Sequence, residues 1–175
     1  MSAAPAAIRA QAAPQWFPVL TRYRFEKRVT ASLERLGIQT FLPLLRETHR
    51  WSDRHKIILS PLFPGYVFAC FCWTPREQMR VLHTQGVIRF VSFGPEVLIV
   101  PAKQIEDLQK LLANQVPCTL HAFLKAGRRV RIRGGCLDGL EGILESKRAK
   151  QLVVSIDVIE RAVAMCIEGY ELELI

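Results

Sequence analysis

The chain has 175 residues, half of them hydrophobic, so it can bury a sizeable core and is too apolar to be a disordered protein. No apolar run approaches the roughly 18 residues of a membrane span, and the first residues lack the pattern of a secretory signal, so we expect a cytoplasmic protein. The net charge of +8 lies mostly in residues 1–123, which predicts a polyanionic partner such as nucleic acid, unless the charge only keeps the surface soluble.

The first predicted elements are a tail, a strand and a helix. Residues 1–15 are rich in Ala, Pro and Gln without a hydrophobic period, which predicts a disordered tail. Residues 16–21 predict a strand, in which Pro18 favours an edge or bulge position. Apolar residues then recur at helical spacing from 25 to 36, and Gly37 ends this amphipathic helix.

Two further strands and a polar hairpin tip follow. Residues 38–45 are strand-like, and the charged stretch 46–56 suits a solvent-exposed hairpin tip. Residues 57–73 are strongly apolar and are interrupted by Ser60-Pro61 and Pro64-Gly65, which predicts two strand pieces separated by a bend.

The next stretch predicts a helix, a strand and a second amphipathic helix, with boundaries at 75–83, 87–93 and from Pro101 onward. The order β-α-β-β-α-β-α predicts an α+β fold in which helices pack on an antiparallel sheet. Residues 16–113 form this first predicted domain.

Residues 114–123 have no clear period and are predicted to be a linker. Beyond them, short Val and Ile runs broken by glycines predict a second domain over 124–175, a small five-stranded β-barrel.

The five cysteines predict neither a disulfide framework nor a metal site. They form no Cys-x-x-Cys pair, and no histidine stands at metal-ligand spacing from them. We therefore expect reduced, structural thiols, no metal and no cofactor. An enzyme is also disfavoured, because no His or Asp belongs to a recognisable catalytic motif.

Two motifs make the organisation specific. Residues 127–135 and 139–142 resemble the KOW motif, in which glycines permit tight turns and close strand approach. In the first domain, Trp16 and Phe17 before the helix, and the run Pro61-Leu-Phe-Pro-Gly-Tyr-Val-Phe68, resemble the amino-terminal domain of the NusG family of transcription elongation factors. Phe93-Gly94 and Ile99-Val100-Pro101 are similar to specialised paralogs such as RfaH.

This resemblance implies an SH3-like barrel, a monomer and a role on RNA polymerase. Family members bind the β′ clamp helices through an apolar cavity, and the matching residues are Phe17, Phe63, Tyr66, Phe68 and Phe90. Because strand side chains alternate between faces, about half of these aromatics should belong to the core instead.

The resemblance also implies a contact with the non-template DNA strand. The matching residues follow the first strand and are Arg22, Tyr23, Arg24, Lys27 and Arg28. Arginines bind phosphates, and a tyrosine ring can stack on an unpaired base, whereas the alternative is a solvated helix start. Further phosphate contacts are predicted in the hairpin tip, from Arg46, Arg50, Arg54 and Lys56, with Trp51 as an exposed aromatic.

Two positions depart from the relatives. Glu77-Gln78-Met79 stands where RfaH has the His-Thr-Thr element that meets the polymerase β subunit, so this contact is not carried over. Ile159 stands where NusG proteins have a phenylalanine that meets ribosomal protein S10 or Rho. Isoleucine, as in RfaH, keeps S10 as a candidate partner and weakens the case for Rho.

The alternative is an RNA-binding protein that does not bind polymerase, with Arg128, Arg129, Arg131 and Arg133 of the barrel on the RNA. Neither the direction of the effect on pausing or termination nor the target operons follow from the sequence.

Overall fold

The structure is a computed structural model that describes residues 13–51, 54–125, 127–145 and 151–175, with the backbone alone at 47–51 and 54–56. The predicted tail therefore lies outside the described residues as far as residue 12. The chain divides into two units, residues 1–102 and 103–175.

The first unit contains two of the three helices of the described chain. Its elements are β1 (Gln15–Thr21), α1 (Glu26–Arg35), β2 (Gln39–Phe41), β3 (Leu44–Trp51), β4 (Arg54–Pro61), β5 (Tyr66–Phe71), α2 (Pro75–Leu82), β6 (Val87–Phe90), β7 (Ser92–Phe93) and β8 (Glu96–Val97). Strands β3 and β4 form one long hairpin and β7 and β8 a short one.

The amphipathic period of α1 is confirmed, because Val29 and Leu33 are fully buried. The helix ends with a pair of backbone bonds, in which Gly37 N–H donates to Glu34 O at 2.9 Å and Ile38 N–H to Leu33 O at 3.0 Å. This pattern is a Schellman motif, which the glycine after the last apolar residue predicts.

The main sheet has the antiparallel order β2-β5-β1-β6, so β1 is an inner strand. Of the two positions expected for Pro18, the edge is wrong, and the register irregularity between β1 and β6 falls between Leu20 and Thr21 rather than at Pro18. Pairing with β6 begins only at Val19, opposite Phe90, and Pro18 O accepts the N–H of Val91 just beyond the end of β6. The missing proline N–H therefore falls where the ladder is ending.

One face of this sheet carries the core of the first unit. Phe17, Val67 and Phe71 point from the strands towards Val29 of α1 and Val81 of α2 in one buried cluster. The α+β arrangement of helices on an antiparallel sheet is thus confirmed.

The second unit contains α3 (Ala102–Ala113, with Ala102 at the boundary), β9 (Cys118–His121), β10 (Arg128–Arg133), β11 (Glu141–Glu145), β12 (Gln151–Ile156), β13 (Arg161–Cys166) and β14 (Glu171–Leu174). The strands of this unit form an antiparallel sheet in the order β14-β10-β11-β12-β13-β9. The sheet has six strands rather than the predicted five. The additional strand, β9, comes from residues that the sequence pattern assigns to the linker.

The second glycine pair of the KOW-like motif contains a position where only glycine fits. A Cβ on Gly142 would lie 2.6 Å from Val153 O and 2.9 Å from Leu152 Cγ, so β11 and β12 approach too closely for any side chain.

Helix α3 is hydrogen-bonded to the turn that precedes β11. Lys103 Nζ donates to Gly139 O at 2.7 Å, and Lys110 Nζ donates to Asp138 O at 2.5 Å. Burial raises the pKa of the Asp107 carboxyl, although the hydrogen bond from Lys103 acts in the opposite direction. The helix is therefore fixed to this loop through polar contacts.

Candidate functional site

The turn between β1 and α1 is held at both sides by backbone hydrogen bonds. Thr21 N–H donates to Gly65 O, and Arg22 N–H donates to Gly86 O, both at 2.8 Å. Phe25 N–H closes the turn on Arg22 O at 3.0 Å. This segment therefore has a defined shape that is set by two distant parts of the chain.

All five residues that the sequence predicts to contact nucleic acid are exposed. They lie in this turn and in the first turn of α1, and are Arg22, Tyr23, Arg24, Lys27 and Arg28. The Tyr23 side chain is 70% exposed although it is aromatic. Four cations and an accessible ring within seven residues can bind phosphates and stack on a base.

Two of the arginines lie over aromatic rings. The Arg24 guanidinium carbon is 5.3 Å from the centre of the Tyr23 ring, and that of Arg28 is 5.0 Å from the centre of the Phe25 ring. A cation–π contact of this kind does not use the guanidinium N–H groups, so these arginines can still donate hydrogen bonds to phosphates.

A cavity of about 480 Å³ opens beside this turn, and we call it the Tyr23 pocket. It is lined by Tyr23, Arg24, Glu26 and Lys27 on one side and by residues 58–61 and Pro64 on the other. Lys27 Nζ spans the two sides, because it donates to Leu59 O at 2.7 Å.

Glu26 connects the pocket to the start of β5. Its side chain is only 3% exposed, and Oε1 accepts the N–H of Gly65 at 2.7 Å. Gly65 has φ +84°, which a residue with a side chain rarely adopts, and Tyr66 follows it directly. Sequence reasoning missed Glu26, because an acidic residue in a first helical turn is already explained by the helix dipole.

Phe17 and Phe90, both predicted to bind polymerase, lie in the interior of the first unit. The Phe17 ring centre is 4.8 Å from that of Phe71 and 4.7 Å from that of Trp73, and Phe90 packs against the same tryptophan at 5.1 Å. Both side chains are buried, at 0% and 7% exposure. Any role they have in binding is therefore to support the sheet.

The other predicted aromatics lie apart from that cluster. Tyr66 and Phe68 alternate with the core residues of β5 and so point to the opposite face of the sheet. Phe68 stacks on Phe41 at 6.2 Å and meets Phe63 edge-on at 6.5 Å, and both Phe63 and Phe68 are fully buried. Tyr66 is half-buried, so it is the predicted contact whose surface is accessible.

The β3–β4 hairpin carries the remaining predicted phosphate contacts. Its register pairs Trp51 with Arg54 and Arg50 with His55 near the tip, and His49 with Lys56. The side chains of Arg50, Trp51, Arg54 and Lys56 lie outside the described residues, whereas Arg46 is described and exposed.

In α2, the first residue of the Glu77-Gln78-Met79 stretch makes contacts within the helix. The Glu77 N–H is capped by Thr74 Oγ1 at 3.3 Å, and the Glu77 carboxylate binds the Arg80 guanidinium at 2.7 and 2.8 Å.

The arginines of β10 face acidic partners on the neighbouring strands. Arg131 binds Glu141 at 2.7 Å, and this hydrogen bond lowers the pKa of the Glu141 carboxyl below its ordinary value. Arg129 also approaches Glu141, and Arg133 pairs with Glu173. The RNA-binding alternative is weakened, because three of its four arginines already have carboxylate partners.

Ile159, the predicted contact for S10, lies in a turn between β12 and β13 and is 8% exposed. The turn is fixed by Asp157, whose carboxylate accepts from Gln104 Nε2 at 2.8 Å and from Ser155 Oγ at 2.6 Å. Asp157 itself is exposed.

Within the parts of the chain that the structure describes, no helix is long and apolar enough to cross a membrane. No group of three His, Cys, Asp or Glu side chains among those same residues is placed to hold a metal ion.

Comparison with known proteins gives the family. The model of a family described as "Transcription termination factor nusG" matches residues 14–109, more than half of the chain. Among curated relatives, the transcription termination/antitermination protein NusG of Lactococcus lactis is 26% identical over 170 residues, which span 90% of this chain and 91% of the relative. The NusG protein of Borreliella burgdorferi is 23% identical over 182 residues, which span 91% and 98%.

The fold agrees with a solved structure, "Domain interaction in Thermotoga maritima NusG", which is 21% identical with a TM-score of 0.50. The match covers 90% of this chain and 96% of that one. The chain therefore belongs to the NusG family of transcription termination and antitermination factors.

Proposed function

We propose that this protein is a transcription elongation factor that docks its first unit on the β′ clamp helices of RNA polymerase and modulates pausing or termination. The observation that carries the proposal is that Gly65 connects the two predicted surfaces. Gly65 directly precedes Tyr66, its carbonyl oxygen accepts the N–H of Thr21, and its own N–H donates to Glu26 at the start of the helix that follows the basic turn. These hydrogen bonds hold the proposed polymerase surface and the proposed DNA surface next to each other.

Tyr66 is the proposed anchor on the clamp helices. It is half-buried, lies on the sheet face opposite the α1 core, and directly follows the turn that Glu26 holds. Aromatic side chains with one packed and one accessible surface are typical of binding hot spots, because they bury a large area at a small entropic cost.

The basic turn is proposed to contact the non-template DNA strand. Arg22, Arg24, Lys27 and Arg28 are exposed and Tyr23 is accessible for stacking, which suits a single strand with unpaired bases. DNA binding adds a second contact to polymerase docking, and two linked contacts bind more tightly than either one.

The second unit is proposed to recruit a partner such as ribosomal protein S10 through the turn that contains Ile159. The support is its resemblance to the KOW domain and the exposed Asp157 beside Ile159. We further propose that the protein acts in the cytoplasm as a monomer.

Binding of the purified protein to core RNA polymerase tests the proposal. We expect tight binding by the wild type, a loss of at least tenfold in Tyr66→Ala, and no change in Tyr170→Ala, a control at a half-buried tyrosine of the second unit. Circular dichroism spectra and thermal unfolding check that both variants fold. Failure of the wild type to bind, or equal binding by Tyr66→Ala, would refute clamp docking through this surface.

A further inference from the structure

Residues 118–125 form a segment that we call the strap, which begins with β9 and lies along β13 at one end of the second unit's sheet. Its four strand residues pair antiparallel with residues 162–165, from Cys118 opposite Met165 to His121 opposite Ala162. None of these four strap residues is buried, and Leu120 is 60% exposed. Within the described strands, the strap therefore has a ladder on one side only and buries little apolar surface.

The strap covers an apolar patch on the sheet. Val153, Ala162 and Ala164 are buried in one cluster, and Leu124 of the strap packs against this cluster. Ala162 and Ala164 alternate along β13 with Val163, which is buried on the opposite face of the strand. A strand whose residues are buried on both faces needs a cover on each, and Leu124 contributes the cover on this one.

Two ion pairs at the surface hold the strap. His121 Nε2 lies 3.2 Å from Glu145 Oε2, and Lys125 Nζ lies 3.0 Å from Glu160 Oε1. Surface pairs contribute little to stability, and the first is an ion pair only when the imidazole is protonated. Glu160 directly follows Ile159, the proposed contact for S10. The strap is thus weakly held, and it ends beside the turn to which the partner is proposed to bind.

We propose that the strap opens independently of the sheet and that its opening admits the partner of the second unit, which binds across the edge of β13 and the Ile159 turn. This proposal rests on the proposed recruitment of S10 through that turn. The strap itself indicates what the surface accepts, namely an extended segment that pairs with β13 and places a large apolar side chain on Ala162 and Ala164. A partner that binds only the open form has an affinity reduced by the open fraction.

Hydrogen–deuterium exchange of the full chain tests the opening. We expect peptides from the strap to exchange at least about a hundredfold faster than peptides from β12, an inner strand that pairs with both β11 and β13. Leu124→Ser should speed exchange in the strap further, because it removes the apolar contact, whereas Leu120→Ser changes an exposed side chain of the same strap and should not. Exchange of the strap in step with β12 would mean that it opens only when the sheet unfolds, and would overturn the proposal.

A reversible disulfide tests the effect of the strap on partner binding. Thr119 and Ala164 lie directly opposite each other, at a spacing that a disulfide can bridge, so Thr119→Cys combined with Ala164→Cys closes the strap when oxidised and releases it when reduced. Peptide mapping verifies the new bridge, since Cys118 and Cys166 lie within two residues of it. We expect the oxidised form to bind purified S10 at least about tenfold more weakly than the reduced form, and Leu124→Ser to bind it about fivefold more tightly than wild type.

Equal S10 binding by the oxidised and reduced forms, with the bridge verified, would overturn the proposed control of partner access. If S10 binds the wild type while the strap exchanges in step with β12, the strap proposal is refuted and S10 recruitment stands. If no form binds S10 although the strap exchanges ahead of β12, S10 recruitment and its control are refuted, and the independent opening stands.

Discussion

Replacing Glu26 with alanine should destabilise the first unit by about 2 to 4 kcal/mol. The change removes the acceptor for the Gly65 N–H, a 2.7 Å bond to a side chain that is 3% exposed. A hydrogen bond to a charged group contributes about 1.5 to 3 kcal/mol, and loss of an acidic residue from the first turn of a helix adds about 0.3 to 1 kcal/mol.

Urea unfolding followed by tryptophan fluorescence measures this effect, because the three tryptophans, at positions 16, 51 and 73, all belong to the first unit. Glu34→Ala is the matched control on the same helix, since Glu34 binds Thr40 Oγ1 at 2.9 Å in an exposed position. We expect the control to stay within about 0.5 kcal/mol of wild type. If Glu26→Ala is no less stable than Glu34→Ala, Glu26 does not hold the turn before Tyr66.

Three further outcomes follow from the packing and charges of the two units. Phe17→Ala should lower the free energy of unfolding, measured in urea, by about 3 to 5 kcal/mol, because the Phe17 ring is fully buried. Phe93 is 76% exposed, so Phe93→Ala should stay within about 0.5 kcal/mol of wild type. Similar losses in the two variants would contradict the interior placement of Phe17. Arg28→Ala should weaken binding to single-stranded DNA and reduce the slope of log affinity against log salt by about 0.7, and an unchanged slope would exclude a phosphate contact. The Arg131 hydrogen bond lowers the folded-state pKa of Glu141, so its stabilisation is present above the ordinary glutamate pKa of about 4.3 and is lost as pH falls through the lower folded value. Glu141→Gln should therefore be less stable than wild type at pH 6 in urea unfolding, and the difference should shrink as the pH falls below the ordinary glutamate pKa. A difference that does not change with pH would contradict the pairing.

The sequence predicts most of the first unit because its elements have clear local patterns. The period of α1, the bend at Gly65 and the helix start at Pro75 each depend on residues close together in the chain. Strand β9 lacks such a pattern, since Cys118-Thr-Leu-His is short and mixed, and it is a strand because it pairs with β13 more than forty residues later.

The site was predicted less completely than the fold, because its contacts join distant residues. The family resemblance indicates the basic turn, and its residues are exposed as a binding role requires. The bond from Gly65 to Glu26 spans 39 positions and has no local signal. Family resemblance identified five aromatics, but it does not give the face of the sheet, which separates buried Phe17 from accessible Tyr66.

The most direct test of the account is a photo-crosslinking amino acid placed at Tyr66 and, as a control, at Tyr170, in complexes with core RNA polymerase. The crosslinked peptides are identified by mass spectrometry. The account predicts that position 66 crosslinks to the β′ clamp helices, in a reaction that excess unmodified protein prevents, and that position 170 does not. A protein that binds polymerase but crosslinks from position 66 to another region, or to none, would contradict docking through this surface.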